Sequence, residues 1–282
     1  MVGALGSMEG RAAAAYRIEH LSIGFRALRR YFAAMRNVEQ WEPGKFVVHK
    51  GHLRGSRDPK ALSIASRVIA DATARFYADA LPRYARGALL DLGCGRVPLY
   101  AAYKDRVESI TCVDWANTLH PNPHVDLEQD LNGPIELPDA SCDTIILSDV
   151  LEHIRRPEQL VQEMFRLLRP GGHVLLNVPF YHGLHERPHD YFRYTEYALR
   201  SMAEDAGFEV LQLEATGGAP EILADVLSKT MLSVPLIGRF KARSIQAFTG
   251  WFVRSGWGRK VSVRSAKDFP LGYSVVLMKD RK

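Results

Sequence analysis

Acidic and hydroxyl-bearing residues recur in this sequence at the ends of short apolar runs. Leu89-Leu90 leads into Asp91, then Leu92-Gly93-Cys94-Gly95, a turn with glycine at alternate positions. Glycine has no Cβ, so a ligand can lie against such a main chain; a ligand-free strand-to-helix turn is the plainer reading of this stretch alone. Asp114 follows about twenty residues on, where an acid typically binds the two hydroxyls of a ribose. Asp130-Leu131 offers a carboxylate for an exocyclic amine and an apolar side chain for a ring face. Ser148-Asp149 closes the next run.

Proton-transfer groups come after these. His153 lies just beyond Ser148-Asp149, and a neutral imidazole there suits a general base; locally hydrogen-bonded, it would be only a helix-start residue. The segment Pro179 to Thr195 is dense in polar and aromatic side chains. Its His185, His189 and Asp190 join His153 as candidates for catalysis. Its Tyr181, His182, Glu186, Tyr191, Arg193 and Tyr194 are candidates for holding a substrate. The competing reading is a loop pinned by Arg193 ion pairs. His185, Glu186, His189 and Asp190 are also metal-ligand types. Hydrogen bonding to substrate is preferred for them, and no metal is assigned.

The elements that must position these residues alternate between short apolar runs and amphipathic segments from Ala88 onward, the pattern of βαβ units on a parallel sheet. Strands are expected at Ala88–Leu92, Ser109–Val113, Val125–Glu128, Thr144–Leu147, His173–Val178, Phe208–Leu213 and Leu271–Met278. Asp58-Pro59 predicts a helix start, and Pro82 its end. Short helices are expected from Pro98, from Pro157 to the stop at Pro170-Gly171-Gly172, and from Thr195 to Gly207. In such a sheet, ligands bind at the carboxyl ends of the strands.

At 282 residues with a net charge of +5, the chain is too mildly basic to imply nucleic acid by charge alone. Cys94, Cys112 and Cys142 are sparse and lie in apolar contexts, which predicts reduced thiols and a cytoplasmic setting. No apolar run is long enough to span a membrane, and no signal-peptide pattern is seen. Met1 to Met8 is set aside from fold reasoning.

Taken together, the motifs resemble the class I S-adenosylmethionine-dependent methyltransferases. Asp91-Leu92-Gly93-Cys94-Gly95 is similar to the family's cofactor loop, and Val113-Asp114 to its ribose-binding acid. Cys142 to Ile154 resembles its fourth strand and loop, and Leu168-Arg169-Pro170-Gly171-Gly172 the turn before its fifth strand. The likeness covers about residues 58 to 216 and the last strand. Val97-Pro98 departs from it, standing where a third glycine is frequent.

The resemblance implies S-adenosylmethionine as cofactor. Gly93 and Gly95 would approach its methionine part, Ser148 would contact that end through its backbone, and Asp91, Cys94 and Asp149 complete the cofactor-binding set. Asp114 would hold the ribose, Trp115 would lie near the adenine, Asp130 would meet its amino group and Leu131 its ring. The loop after the fifth strand resembles that of members found with polysaccharide-biosynthesis enzymes. This implies oxygen methylation of a glycan or other small-molecule acceptor. The alternatives are a methyltransferase-fold binding module without catalysis and a nucleic-acid methyltransferase.

The expected fold class is α/β. It is a Rossmann-like, seven-stranded, mostly parallel sheet with helices on both faces. An N-terminal helical extension covers 1–57 and the cofactor-binding core 58–218. A helical insertion covers 219–268, and the last strand falls in 269–282. Leu21, Phe25, Leu28, Phe32 and Met35 form an apolar stripe for a helix over about 9–36. From Pro220 to Arg264 there are eight Lys/Arg and two Asp/Glu, a net +6. This insertion reads as a homodimer contact or decoration, as an acceptor-binding cap, or as a surface for an anionic membrane at the inner face.

Overall fold

The computed structural model describes residues 34–117 and 122–281. The helix expected over 9–36 lies outside them except for its last residues, of which Met35 is buried. The rest of the extension corrects the expectation. It holds no helix beyond a 3-10 turn at Val38–Gln40, and instead forms an antiparallel hairpin of β1 (Phe46–His49) and β2 (His52–Gly55). The alternation that marks a strand is short here, and Lys50-Gly51 makes the tight turn with both φ angles positive.

Seven strands build the main sheet: β3 (Ala88–Leu92), β4 (Ser109–Asp114), β5 (Leu127–Glu128), β6 (Cys142–Ser148), β7 (Leu168–Pro179), β8 (Phe208–Ala215) and β9 (Gly272–Lys279). Their order is β5-β4-β3-β6-β7-β9-β8. All neighbouring pairs are parallel except β7–β9 and β8–β9. The chain leaves β3 toward β4 and β5, then returns to place β6 on the other side of β3. That reversal opens a crevice at the carboxyl ends of β3 and β6.

Both faces of the central strands are apolar, as a doubly covered parallel sheet demands. Leu90, Leu92, Ile145, Leu147, Val174 and Leu176 face one core, closed by α3 (Pro157–Leu167) and α4 (Glu196–Asp205). Leu89, Ile146, Leu175 and Val276 face the other, closed by α1 (Arg67–Tyr84) through Phe76, Tyr77, Ala80 and Leu81. A short α2 (Tyr100–Tyr103) follows the first strand end. Thr195 caps α4 by accepting the Ala198 amide at 3.2 Å, and Pro157 takes the first turn of α3, both as expected.

Two boundaries differ. Asp58 starts a turn rather than a helix: its carboxylate accepts the Lys60 amide at 2.9 Å, and α1 begins only at Arg67. Pro82 sits inside the last turn of α1, which ends at Tyr84, so the proline removes one donor without stopping the helix. Pro170-Gly171-Gly172 lies within β7, where the pairing to β6 shifts register between Cys142 and Thr144.

The insertion is helical, as expected, and comprises three helices: α5 (Ala219–Leu232), α6 (Gly238–Phe252) and α7 (Gly256–Ser265). Buried polar groups dock it on the core. The Gln246 amide accepts from Val68 N at 2.9 Å and donates to Ala65 O at 2.7 Å and Ser228 Oγ at 3.1 Å. Within the insertion, buried Glu221 ties α5 to α7, accepting from Gly218 N at 3.0 Å and Ser262 Oγ at 2.8 Å.

Candidate active site

The first strand end is shaped by two glycines with different duties. Gly93 and Gly95 both hold positive φ, at 64° and 49°. A Cβ on Gly93 would lie 2.6 Å from Val150 Cγ2, whereas one on Gly95 would meet nothing within 4 Å. Gly93 therefore lets the β6 exit pack against the turn, and Gly95 is the position that faces open space. Asp114 ties the turn to β4: one carboxylate oxygen accepts Gly95 N at 2.9 Å, the other Trp115 N at 2.8 Å. Each oxygen keeps a lone pair for a hydroxyl.

Gly93→Ala should destabilise the fold by about 2–4 kcal/mol through overpacking and strain. Gly95→Ala should cost only about 1 kcal/mol of fold stability but more than tenfold in cofactor affinity. Denaturant melts and cofactor calorimetry on both variants separate the two effects. Equal loss of stability would refute the assignment.

Asp91 is buried and accepts from the Tyr103 hydroxyl at 3.0 Å. Burial pushes its carboxyl up to about 7, against the pull of the Tyr103 bond and with the help of Asp114's charge. Leu131 is buried nearby in sequence to exposed Asp130, whose carboxylate already caps Asn132 N at 2.9 Å. Cys94 is buried, and its thiol takes a bond from Asn122 Nδ2 at 3.4 Å.

At the β6 end, Asp149 adopts φ 54° and gathers three elements. Its carboxylate pairs with Lys45 Nζ at 2.5 Å and accepts Asn177 Nδ2 at 2.6 Å, while its amide donates to Asn177 O at 3.1 Å. Burial pushes the carboxyl up, but Lys45's charge and hydrogen bond and the Asn177 amide outweigh it and hold the carboxyl below its usual range. The Asn177 carbonyl accepts from Tyr77 OH at 2.8 Å and Ser148 Oγ at 2.9 Å. The Ser148 hydroxyl is thus committed to the protein.

Beyond Asp149 lies a cavity of about 230 Å³. Its polar wall includes Lys45, Asp149, Glu152, His182, His185 and Glu186. Four of the residues singled out from the sequence therefore meet here: Asp149, His182, His185 and Glu186. Neutral His182 accepts from Lys229 Nζ at 3.2 Å, with burial and Lys229's charge lowering its pKa. That contact joins α5 to the cavity wall. His185 directs Nε2 to within 3.7 Å of a Glu152 oxygen. The Glu152 carboxylate raises the His185 pKa above the ordinary histidine value, against desolvation.

Several candidates hold the loop and do not line this cavity. Asp190 is not a free base: Arg193 grips both its oxygens at 2.6 and 2.9 Å, His185 N donates to it at 2.9 Å, and its carboxyl lies far below the usual range. Arg193 is spent on that clamp, as the pinned-loop reading anticipated. Tyr194 is buried and donates its hydroxyl to Leu151 O at 2.9 Å. Tyr191 OH meets Arg155 Nε at 2.8 Å and His189 Nδ1 at 3.0 Å, and the His189 ring stands edge-on to Trp115 at 5.0 Å. Tyr181 packs between Phe180 and Phe269. His153 is not at the cavity wall; its Nδ1 sits 2.7 Å from His189 O, and it lies behind His185 with ring centroids 4.7 Å apart.

Sequence reasoning missed three residues here: Lys45, Glu152 and Asn177. Lys45 sits in an irregular stretch with no pattern to mark it. Glu152 was readable as the acid preceding His153, and Asn177 as a polar residue at the end of an otherwise apolar strand.

The crevice fits S-adenosylmethionine. Gly95 presents bare main chain to open space, and the carboxylates of Asp114 and Asp149 suit a ligand carrying sulfonium and ammonium charges.

A family model described as a methyltransferase domain matches residues 62–213. A protein of Mycolicibacterium smegmatis (strain ATCC 700084 / mc(2)155), named as a probable S-adenosylmethionine-dependent methyltransferase, is 35% identical over 135 residues, 43% of this chain and 52% of its own length. Thiol S-methyltransferase TMT1B of Homo sapiens is 32% identical over 97 residues, 30% of this chain and 39% of its own. The chain thus spans about half, or less, of the length of these curated relatives. The solved SAM dependent methyltransferase from Archaeoglobus fulgidus has a TM-score of 0.46 at 18% identity, covering 74% of this chain and 92% of that one.

Proposed function

The chain belongs to the class I S-adenosylmethionine-dependent methyltransferases, and on that footing we propose that it methylates a hydroxyl oxygen of a small acceptor, a sugar or glycan end, seated beside Asp149. When bound, S-adenosylmethionine supplies a sulfonium methyl group for in-line displacement. Gly95, Asp114, Trp115 and Leu131 hold the donor in this reading. The cavity wall holds the acceptor, with Asp149 and Lys45 between the two.

The observation that carries the oxygen assignment is the Glu152–His185 pair at the wall. A thiol ionises near pH 8.5 and needs little help, but a hydroxyl proton must be taken as the methyl arrives. His185 Nε2 accepts it, and Glu152 strengthens that base and balances the imidazolium. The polar side of the lining suits hydroxyls, its apolar side, with Leu62, Ile69, Ala70 and Leu271, suits a ring face, and about 230 Å³ is space for one ring-sized unit. A thiol acceptor is the second reading, favoured by the likeness to TMT1B.

Because Glu152 raises the His185 pKa, activity should fall on the acid side with a midpoint above about 6.5. Glu152→Gln should move that midpoint down. A pH–rate profile of both proteins checks this, and an unmoved midpoint would contradict the pairing.

We further propose that the insertion rests on an anionic membrane surface. Its only acids between Pro220 and Arg264, Glu221 and Asp225, are buried, so the charge it shows is basic. Phe240, Phe248 and Trp251 of α6, with Leu236 and Trp257 beside it, are exposed among Arg239, Lys241 and Arg243. No helix among the described residues is long and apolar enough to cross a membrane. Co-sedimentation with phosphatidylglycerol vesicles should exceed that with phosphatidylcholine, and Trp251→Ser should reduce it. No sedimentation, with a dimer by size exclusion that Trp251→Ser dissolves, would assign the face to self-association.

A further inference from the structure

At the cavity wall, three acceptor atoms of Glu152, His185 and, behind them, His153 converge with no proton placed between them. Glu152 is fully buried, and neither carboxylate oxygen has a hydrogen-bond partner. Its Oε1 lies 3.7 Å from His153 Nε2 and 3.7 Å from His185 Nε2, both beyond hydrogen-bond length. His153 Nε2 is likewise buried without a partner. Burying an unpaired carboxylate is costly, so a structure that retains one calls for a counter-charge.

The rings are turned to provide lone pairs. His153 Nδ1 donates to His189 O at 2.7 Å, and His185 Nδ1 faces Gly183 O at 3.3 Å and Asp190 Oδ2 at 3.4 Å. Each outer contact fixes its histidine in the Nδ1–H form and leaves Nε2 basic, as outer partners of metal-binding histidines do. The three ligand atoms all lie within 4.8 Å of one another. Ligands bound tetrahedrally at about 2.1 Å stand roughly 3.4 Å apart, so the observed 3.7 Å spacings need little closing.

We infer that Glu152, His153 and His185 form a three-ligand site for a divalent transition metal, with a further position open toward the acceptor cavity. Two imidazoles and one carboxylate select zinc, iron, cobalt, nickel or manganese over magnesium and calcium. This differs from the set weighed in the sequence: His189 and Asp190 serve as outer supports, through the His189 carbonyl and the Asp190 carboxylate. Glu186 Oε2, 3.8 Å from His153 Nε2, stands at the exposed rim. Ion binding stands on these side chains alone. Its role rests on the acceptor reading above: with the ion present, His185 is a ligand rather than a base. An acceptor hydroxyl on the open position is acidified by the ion, its O–H bond breaks, and the proton leaves to cavity water.

The test uses the full chain, stripped with chelator and dialysed, then titrated with ZnCl₂ by calorimetry and with CoCl₂ by visible absorption. The expected result is one equivalent of either ion and cobalt bands of a low-coordinate site. Glu152→Gln and His185→Ala should each weaken affinity by about 100-fold or more, beyond the loss typical of an outer partner. His49→Ala, in the exposed turn of the hairpin, should not change it. S-adenosylhomocysteine affinity, measured on each variant, reports that the donor side is still folded. No uptake by the wild-type chain, or equal affinity in wild type and a folded Glu152→Gln, overturns the site. Ion uptake in a chain that methylates no acceptor leaves the site standing and removes the acceptor reading instead.

Discussion

His185→Ala is expected to lower methyl transfer by about 10²–10⁴-fold with little change in S-adenosylhomocysteine affinity, the range over which a positioned proton acceptor contributes. Its Nε2 is the basic nitrogen at the cavity wall that faces the buried Glu152 carboxylate. The same loss follows whether that nitrogen takes the acceptor proton directly or holds an ion that acidifies the acceptor, so the variant tests the wall itself. His153→Ala should lower turnover less if His153 only positions its neighbour. Single-turnover methyl transfer with labelled donor, beside calorimetry, gives both readings. Retained turnover in His185→Ala would move the proton transfer elsewhere.

Asp91→Asn is expected to stabilise the ligand-free chain at alkaline pH. The carboxyl is pushed up to about 7 by burial, whereas in the unfolded chain it titrates near 3.9. The folded state therefore keeps a proton that the unfolded state releases between about pH 4 and pH 7. The stability this provides is complete below pH 4 and is lost as pH rises through 7. Three pKa units correspond to about 4 kcal/mol, an upper bound. Asparagine keeps an acceptor for the Tyr103 hydroxyl and removes the titration. Urea melts of wild type and Asp91→Asn at pH 5 and pH 8 give the double difference. It should approach about 2.7 kcal/mol, two of those three units, since the unfolded chain has already released most of this proton by pH 5, with the variant favoured at pH 8. A difference near zero would mean that Asp91 is ionised in the fold at no cost.

The strand-end positions of the acidic and glycine residues were legible because strands announce themselves by apolar runs. Asp91, Gly95, Asp114 and Asp149 needed only the order of those runs. The acceptor side was legible in composition but not in role. Nothing in the stretch from Tyr181 to Tyr194 distinguishes Asp190, clamped by Arg193, from Glu186, which lines the cavity. That distinction depends on side-chain direction in an irregular loop, which has no period to read. Lys45 reaches Asp149 from 104 residues away along the chain, and no local pattern foretells such a pair. The delayed start of α1 was missed because an Asp-Pro pair caps a turn as readily as a helix, and the hairpin at Phe46–Gly55 because strands of four residues are too short for their alternation to register.

In the proposed reaction this chain carries a methyl group from S-adenosylmethionine to oxygen at the wall formed by Glu152 and His185. The direct measurement incubates the purified chain with methyl-labelled donor and a panel of sugars, nucleotide sugars, glycan ends, phenols and thiols, and locates the label by mass spectrometry. Label is expected on a hydroxyl oxygen and should be abolished in His185→Ala. Label confined to sulfur, or transfer to oxygen that survives His185→Ala, would contradict it.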